Sequence, residues 1–143
     1  MFCHKQDYFE VEKIHYKALK IVYNSNECYE ELLIRNNEVS IHQKQLRTLA
    51  TEIYKSLTDV NPDFMKSYFP IKEIPYSLRN GSVLKIPPTR STYYGTNSIH
   101  FRACLLWNKL PKALKESQSL SEFKYKIKTI GKIDCSCKIC RSQ

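Results

Sequence analysis

At 143 residues, of which 42% are hydrophobic and 26% charged, the chain is long enough for one domain with a modest core, and its composition excludes wholesale disorder. The net charge of +9 is uneven, because residues 1–70 hold nine Lys/Arg and ten Asp/Glu whereas residues 71–143 hold fourteen and four. The basic half indicates a polyanionic partner such as nucleic acid, although an acidic protein domain would satisfy the same charge.

Apolar residues at helical spacing predict two helices at the start of the chain. The first runs from about Gln6 to Tyr23, and its predicted core face consists of Val11, Ile14, Ala18 and Val22. Asn26 is predicted to cap the second helix, which ends near Leu33. The acidic residues of this half are interpreted as solvated charges on helix surfaces; they include Glu10, Glu12, Glu30, Glu31 and Glu52.

A third helix follows the capping-box pattern of Ser40 and Gln43. Its apolar positions are Leu46, Leu49, Ala50, Ile53, Leu57 and Val60. Asn61 is predicted to cap a short next helix near Asp63–Phe69, with Pro62 at its first position.

Four prolines exclude a long helix between residues 70 and 97. Asn80-Gly81 is typical of a hairpin turn, which would join short extended pieces around Tyr76–Arg79 and Ser82–Ile86. A further extended piece is predicted near Ser91–Tyr94.

Two more helices are predicted after this segment. One begins at Ser98 and ends before Pro111, with Ile99, Ala103, Leu106 and Leu110 on its apolar face. The last begins at Ser119, ends at Gly131 and has the apolar stripe Leu120, Phe123, Ile127 and Ile130. The sequence therefore predicts a mainly α-helical fold: a small bundle over residues 1–130, an extended basic segment at 70–97, and a Cys-rich tail at 131–143.

No pattern in the sequence predicts an enzyme or a small-molecule substrate. Three glycines form no phosphate-binding loop, and no aspartate pair resembles a metal-dependent polymerase or nuclease site. A nucleophilic dyad of Cys104 and His100 is the weaker alternative. The N-terminus lacks a signal-peptide pattern, and the longest apolar run, Ala103–Trp107, is too short to span a bilayer. We therefore expect an intracellular protein, nuclear or cytoplasmic, with no membrane partner.

The tail carries a candidate zinc site, although no bound cofactor is required by the rest of the sequence. Its thiols are Cys135, Cys137 and Cys140, and the last two have the C-x2-C spacing of zinc ligands. A fourth ligand would come from elsewhere, either from Cys3 with His4 or from His100 with Cys104. The alternative is that these cysteines are free thiols in a basic tail.

Residues 74–115 contain no Asp or Glu, yet they carry seven basic residues and five aromatic residues. This combination is typical of nucleic-acid binding, through ion pairs to phosphates and stacking on bases. The predicted phosphate contacts are Arg79, Lys85, Arg90, Arg102, Lys124 and Lys128. The predicted stacking residues are Tyr93 and Tyr94, whereas Trp107 fits a core position better.

An ordered series of segments resembles one known family. The segments are IHYKALKIVYN (14–24), YEELL (29–33), SIHQKQLRTLATEIYK (40–55), NPDFM (61–65), YSLRN (76–80), YYGTNSIHF (93–101), LWNKLP (106–111), SLSEFKYKIK (119–128) and CSCKIC (135–140). Together they resemble the region downstream of the polymerase domain in jockey-like non-LTR retrotransposon polyproteins.

The resemblance implies a non-catalytic remnant of a reverse transcriptase C-terminal region. Such a segment would help to hold template RNA or target DNA beside the polymerase domain of the parent polyprotein. Two alternatives stay open. The helices could be a packing module of the polymerase without activity of their own, or the tail could make the chain a zinc-dependent interaction module.

Overall fold

The computed structural model describes residues 5–73 and 82–135. This part of the chain is mainly helical and contains no β-sheet, which confirms the predicted fold class. The α-helices in chain order are α1 Lys5–Tyr23, α2 Tyr29–Arg35, α3 Ile41–Leu57, α4 Asp63–Ser67, α5 Ile99–Lys109, α6 Lys112–Lys115 and α7 Leu120–Thr129. A π-helical turn, Thr92–Thr96, precedes α5.

The described chain divides into two compact units, and the boundary falls within α3. The first unit comprises the described residues up to Gln45, and the second comprises those of Leu46–Cys135. The sequence of the second unit holds fifteen Lys/Arg and seven Asp/Glu, so the basic character lies in this unit. The single domain over residues 1–130 stays a prediction.

Helix α1 buries a different face from the predicted one. The predicted core residue Ile14 is 66% exposed, and Val11, Ala18 and Val22 are exposed as well. The buried positions are instead Tyr8, Glu12 and Leu19. The predicted face is wrong because the Glu12 carboxylate accepts hydrogen bonds on the buried side of the helix. A polar residue therefore takes a core position.

The helix caps differ in part from the predicted ones. Cys28, not Asn26, caps α2: its Sγ accepts a hydrogen bond from the Glu31 N–H at 3.5 Å. Ser40 does accept from the Gln43 N–H, at 3.3 Å, at the start of α3. Asn61 is no cap, because Pro62 holds the N-cap position of α4 while the Asn61 amide donates to Ser56 Oγ at 3.1 Å.

Three aromatic rings mark the core of the second unit. Phe123 of α7 stacks on Tyr54 of α3, with 4.3 Å between ring centroids, and lies 6.2 Å from the Trp107 ring of α5. Trp107 is 1% exposed, which confirms its predicted core position. The apolar stripe of α7 is confirmed at Phe123 and Ile127, whereas Ile130 is 40% exposed. Ser119 caps α7, and Gly131 follows its end with a φ of +72°.

The proline-rich segment contains one isolated antiparallel bridge, between Ile71 and Leu84. The Asn108 side chain fixes it, since the Leu84 N–H donates to Asn108 Oδ1 at 2.7 Å and Asn108 Nδ2 donates to the Leu84 carbonyl at 3.0 Å. The predicted turn Asn80-Gly81 and the piece Tyr76–Arg79 lie outside the described residues.

The extended piece predicted near Ser91–Tyr94 is wrong, because a π-helical turn begins at Thr92. Ser91 caps this turn by accepting a hydrogen bond from the Tyr94 N–H at 3.2 Å. A glycine is needed at position 95, since a Cβ there would lie 2.6 Å from Thr89 Cβ.

Candidate nucleic-acid interface

Three of the predicted binding residues are exposed on or near the bridge and the π-helical turn of the second unit. Lys85 follows the bridge residue Leu84, and its N–H donates to the Pro70 carbonyl at 2.8 Å. Arg90 is exposed just before the π-helical turn, and Tyr94 within the turn is 84% exposed. A tyrosine this exposed contributes little to a core, so its ring is accessible to a ligand. Arg79 and the side chain of Tyr93 lie outside the described residues.

Arg102 is half-buried at the start of α5, so it offers only part of its guanidinium to solvent. Its Nη2 donates to Asn97 Oδ1 at 2.8 Å, directly before the helix. This hydrogen bond orients the side chain along the connection from the π-helical turn to α5. Arg102 therefore has a structural role beside its predicted phosphate contact.

Lys124 and Lys128 are both exposed on α7, one helical turn apart. Lys124 also lies near Glu52 of α3. The pKa of the Glu52 carboxyl is lowered mainly by the hydrogen bond from Lys55, and the charge of Lys124 adds to this effect. Part of the Lys124 charge is thus balanced within the unit.

The sequence alone did not reveal that several basic residues are structural. Lys115 is buried: its Nζ lies 6.0 Å from the centroid of the Trp107 ring and donates to the Asn108 carbonyl at 3.4 Å. Burial lowers the pKa of this ammonium group. Lys112 pairs with Glu116 at 3.5 Å. The acid-free stretch is therefore not a uniform basic surface.

Arg47 of α3 is a further structural cation. Its Nη2 donates to the carbonyls of Lys128 and Gly131, at 3.4 and 2.7 Å. The Lys128 carbonyl belongs to the last turn of α7, where a positive charge is favourable, and Gly131 is the second residue past the end of that helix. Arg47 therefore joins α3 to the end of α7.

The described thiols do not form a metal centre. Cys135 is half-buried and packs against the core, whereas Cys137 and Cys140 lie outside the described residues. Across residues 5–73 and 82–135, no three His, Cys, Asp or Glu side chains converge as metal ligands. Cys104 is fully buried, and burial raises the pKa of its thiol, which disfavours the nucleophilic thiolate. The zinc site stays a prediction.

A buried carboxylate in the first unit is the main feature that the sequence patterns missed. Glu12, predicted to be solvated, accepts hydrogen bonds from the Tyr8 and Tyr29 hydroxyls and, at 3.2 Å, from the His42 N–H. His15 Nδ1 lies 2.8 Å from the Tyr29 hydroxyl. Burial is the main cause that raises the pKa of the Tyr29 hydroxyl, and its hydrogen bond to Glu12 raises this pKa further. The cluster joins α1, α2 and the start of α3.

No family model, curated protein or solved structure matches the chain in comparisons with known proteins. Among the described helices, none is both long enough and apolar enough to cross a membrane.

Proposed function

We propose that the chain is a non-catalytic module that binds RNA or DNA without sequence specificity, and that it derives from the C-terminal region of a non-LTR retrotransposon reverse transcriptase. The supporting observation is the exposure of Lys85, Arg90 and Tyr94 within the basic second unit. Cations of this kind attract a phosphate backbone, and an accessible ring can stack on a base. The family origin rests on the resemblance of the sequence alone.

A double variant, Lys85→Ala with Arg90→Ala, tests the proposed surface. We expect wild-type binding to a single-stranded oligonucleotide to weaken steeply with salt, because bound cations release counterions from the phosphates. Two lost contacts should reduce the slope of log K against log salt by about 1.4, at about 0.7 for each contact to a single strand. Fluorescence anisotropy titrations at several salt concentrations measure both slopes.

The matched control is Lys13→Ala with Lys17→Ala, which removes two exposed lysines from the first unit. It changes the net charge by the same amount as the double variant. If the binding surface lies around Lys85 and Arg90, the control should leave the slope unchanged. Equal slopes for all three proteins would refute this site assignment.

The exposed apolar face of α1 supports a second candidate function, packing against the polymerase domain of the parent polyprotein. This face consists of Val11, Ile14, Ala18, Ile21 and Val22, and Ile21 is 81% exposed. Contiguous apolar surface of this kind is typical of a protein interaction site. The two functions are compatible, since they use different units of the chain.

Changing Ile14 and Ile21 to lysine tests the packing function. We expect the wild-type chain, expressed without a polymerase domain, to self-associate through the uncovered face, and the double variant to stay monomeric. Because both side chains are exposed, the free energy of unfolding should change by less than about 0.5 kcal/mol. Sedimentation velocity and urea unfolding provide the two measurements. A monomeric wild type would count against the packing function. The control is Leu19→Lys, which should destabilise the unit because Leu19 is buried in α1.

A further inference from the structure

Two exposed aromatic rings at α4 lie outside every site described so far. Phe64 is 64% exposed and Tyr68 is 56% exposed. Tyr68 is the C-cap residue of α4 and keeps a helical backbone conformation, so its side chain follows that of Phe64 by one turn. Side chains at this spacing are neighbours, with about 5–6 Å between Cβ atoms. The two rings therefore form one aromatic patch on the second unit.

Tyr68 is held in place although most of it is exposed. Its ring makes an edge contact with His100 of α5, with 5.7 Å between centroids and 66° between planes. The next residue, Phe69, is buried and also contacts His100, at 5.9 Å. Because the contact with His100 already restricts the Tyr68 ring, this ring loses little conformational freedom when a ligand covers its exposed side.

Two lysines lie on backbone that is close in sequence, or hydrogen-bonded, to the residues directly after α4. The Lys85 N–H is bonded to Pro70, two residues after Tyr68, and the Lys72 N–H donates to the Val83 carbonyl at 2.7 Å. Both lysine side chains are exposed, and neither is in an ion pair with a described residue. Two exposed carboxylates, Asp63 next to Phe64 and Glu73 next to Lys72, offset part of this charge.

We propose that Phe64 and Tyr68 form a stacking site for the unpaired bases of a single-stranded nucleic acid, with Lys72 and Lys85 on its phosphates. The inference rests on the proposed function and specifies its ligand as single-stranded. Exposed rings next to cations fit a base attached to a phosphate. A duplex does not offer this surface, because its bases are already stacked and paired. An apolar protein partner would gain nothing from the two lysines.

The test compares two pairs of substitutions at the same positions. Phe64→Leu with Tyr68→Leu removes both rings but keeps apolar side chains, whereas Phe64→Tyr with Tyr68→Phe keeps both rings. The probes are a labelled single strand of about 12 nucleotides, within the site size of small single-strand binders, and an abasic strand of the same length. Anisotropy gives the affinities, and circular dichroism checks that each variant is folded.

We expect the leucine variant to bind the normal strand at least about tenfold more weakly, because base stacking on one ring contributes about that much. The ring-keeping variant should bind like the wild type, and the leucine variant should bind the abasic strand like the wild type. Equal binding of the normal strand by all three proteins would overturn the stacking site while leaving phosphate binding intact. Failure of the wild type to bind either strand would overturn the proposed function together with it.

Discussion

Replacing Phe123 by alanine is expected to destabilise the second unit by about 3–5 kcal/mol, the usual cost of deleting a buried phenyl ring. The Phe123 ring is 0% exposed and lies against Tyr54, with Trp107 close by. Its removal leaves a cavity between α3, α5 and α7, and rings anchored on three helices cannot easily collapse into that space. Because small domains have a total stability of about 5–15 kcal/mol, the variant should be close to unfolded.

Trp107 is the single tryptophan of the chain, so its fluorescence during urea unfolding reports on this unit. The control is Tyr125→Ala, which deletes a ring from the same helix at a position that is 73% exposed. Its effect should be below about 0.5 kcal/mol. Similar unfolding curves for the two variants would show that the aromatic stack does not stabilise the unit.

The second unit was largely predictable because its apolar residues follow the helical repeat. The spacing of Leu46, Ala50 and Ile53 in α3 predicts a face that the structure buries. Trp107 and Phe123 were likewise placed correctly by their apolar neighbours along the helix. In the middle of these helices burial and hydrophobicity coincide, whereas the predicted apolar positions at or beyond their ends, Val60, Ile99 and Ile130, are exposed.

Helix α1 shows where this reasoning fails. A hydrophobicity pattern selects the face with Ile14, but hydrogen bonds to Glu12 stabilise the burial of a different face. Two of the three donors, the Tyr29 hydroxyl and the His42 N–H, lie on other segments, 17 and 30 residues away, and no local spacing reveals them.

The sequence composition predicted the region of the candidate interface but not which of its residues are exposed. Charge and aromatic content identify the basic region, yet they do not distinguish exposed Lys85 from buried Lys115, whose ammonium group lies near the Trp107 ring. That distinction depends on tertiary packing. The aromatic patch of Phe64 and Tyr68 was missed for the same reason. The sequence of a helix as short as α4 does not show which of its side chains tertiary packing leaves exposed.

Replacing Glu12 by alanine is the change we expect to destabilise the first unit most among its polar residues, by about 3 kcal/mol. The substitution removes the acceptor shared by the Tyr8 hydroxyl, the Tyr29 hydroxyl and the His42 N–H. Buried donors that lose their acceptor cost about 1–3 kcal/mol each, and water can restore only part of this in a closed cluster. Amide hydrogen exchange in α1 and α2 measures the loss separately from the second unit.

Glu10→Ala provides the contrast, because Glu10 lies on the same helix, is exposed and pairs only at the surface with Lys13, at 2.8 Å. The lysine lowers the pKa of the Glu10 carboxyl, but solvent and salt screen an exposed pair, so we expect little change in protection. Glu12→Gln should fall between the two alanine variants, since its amide oxygen can still accept while its NH2 group faces donors. If hydrogen exchange were the same in Glu12→Ala and Glu10→Ala, the cluster would not hold α1 to α2. The exposed apolar face of α1 would then need another explanation.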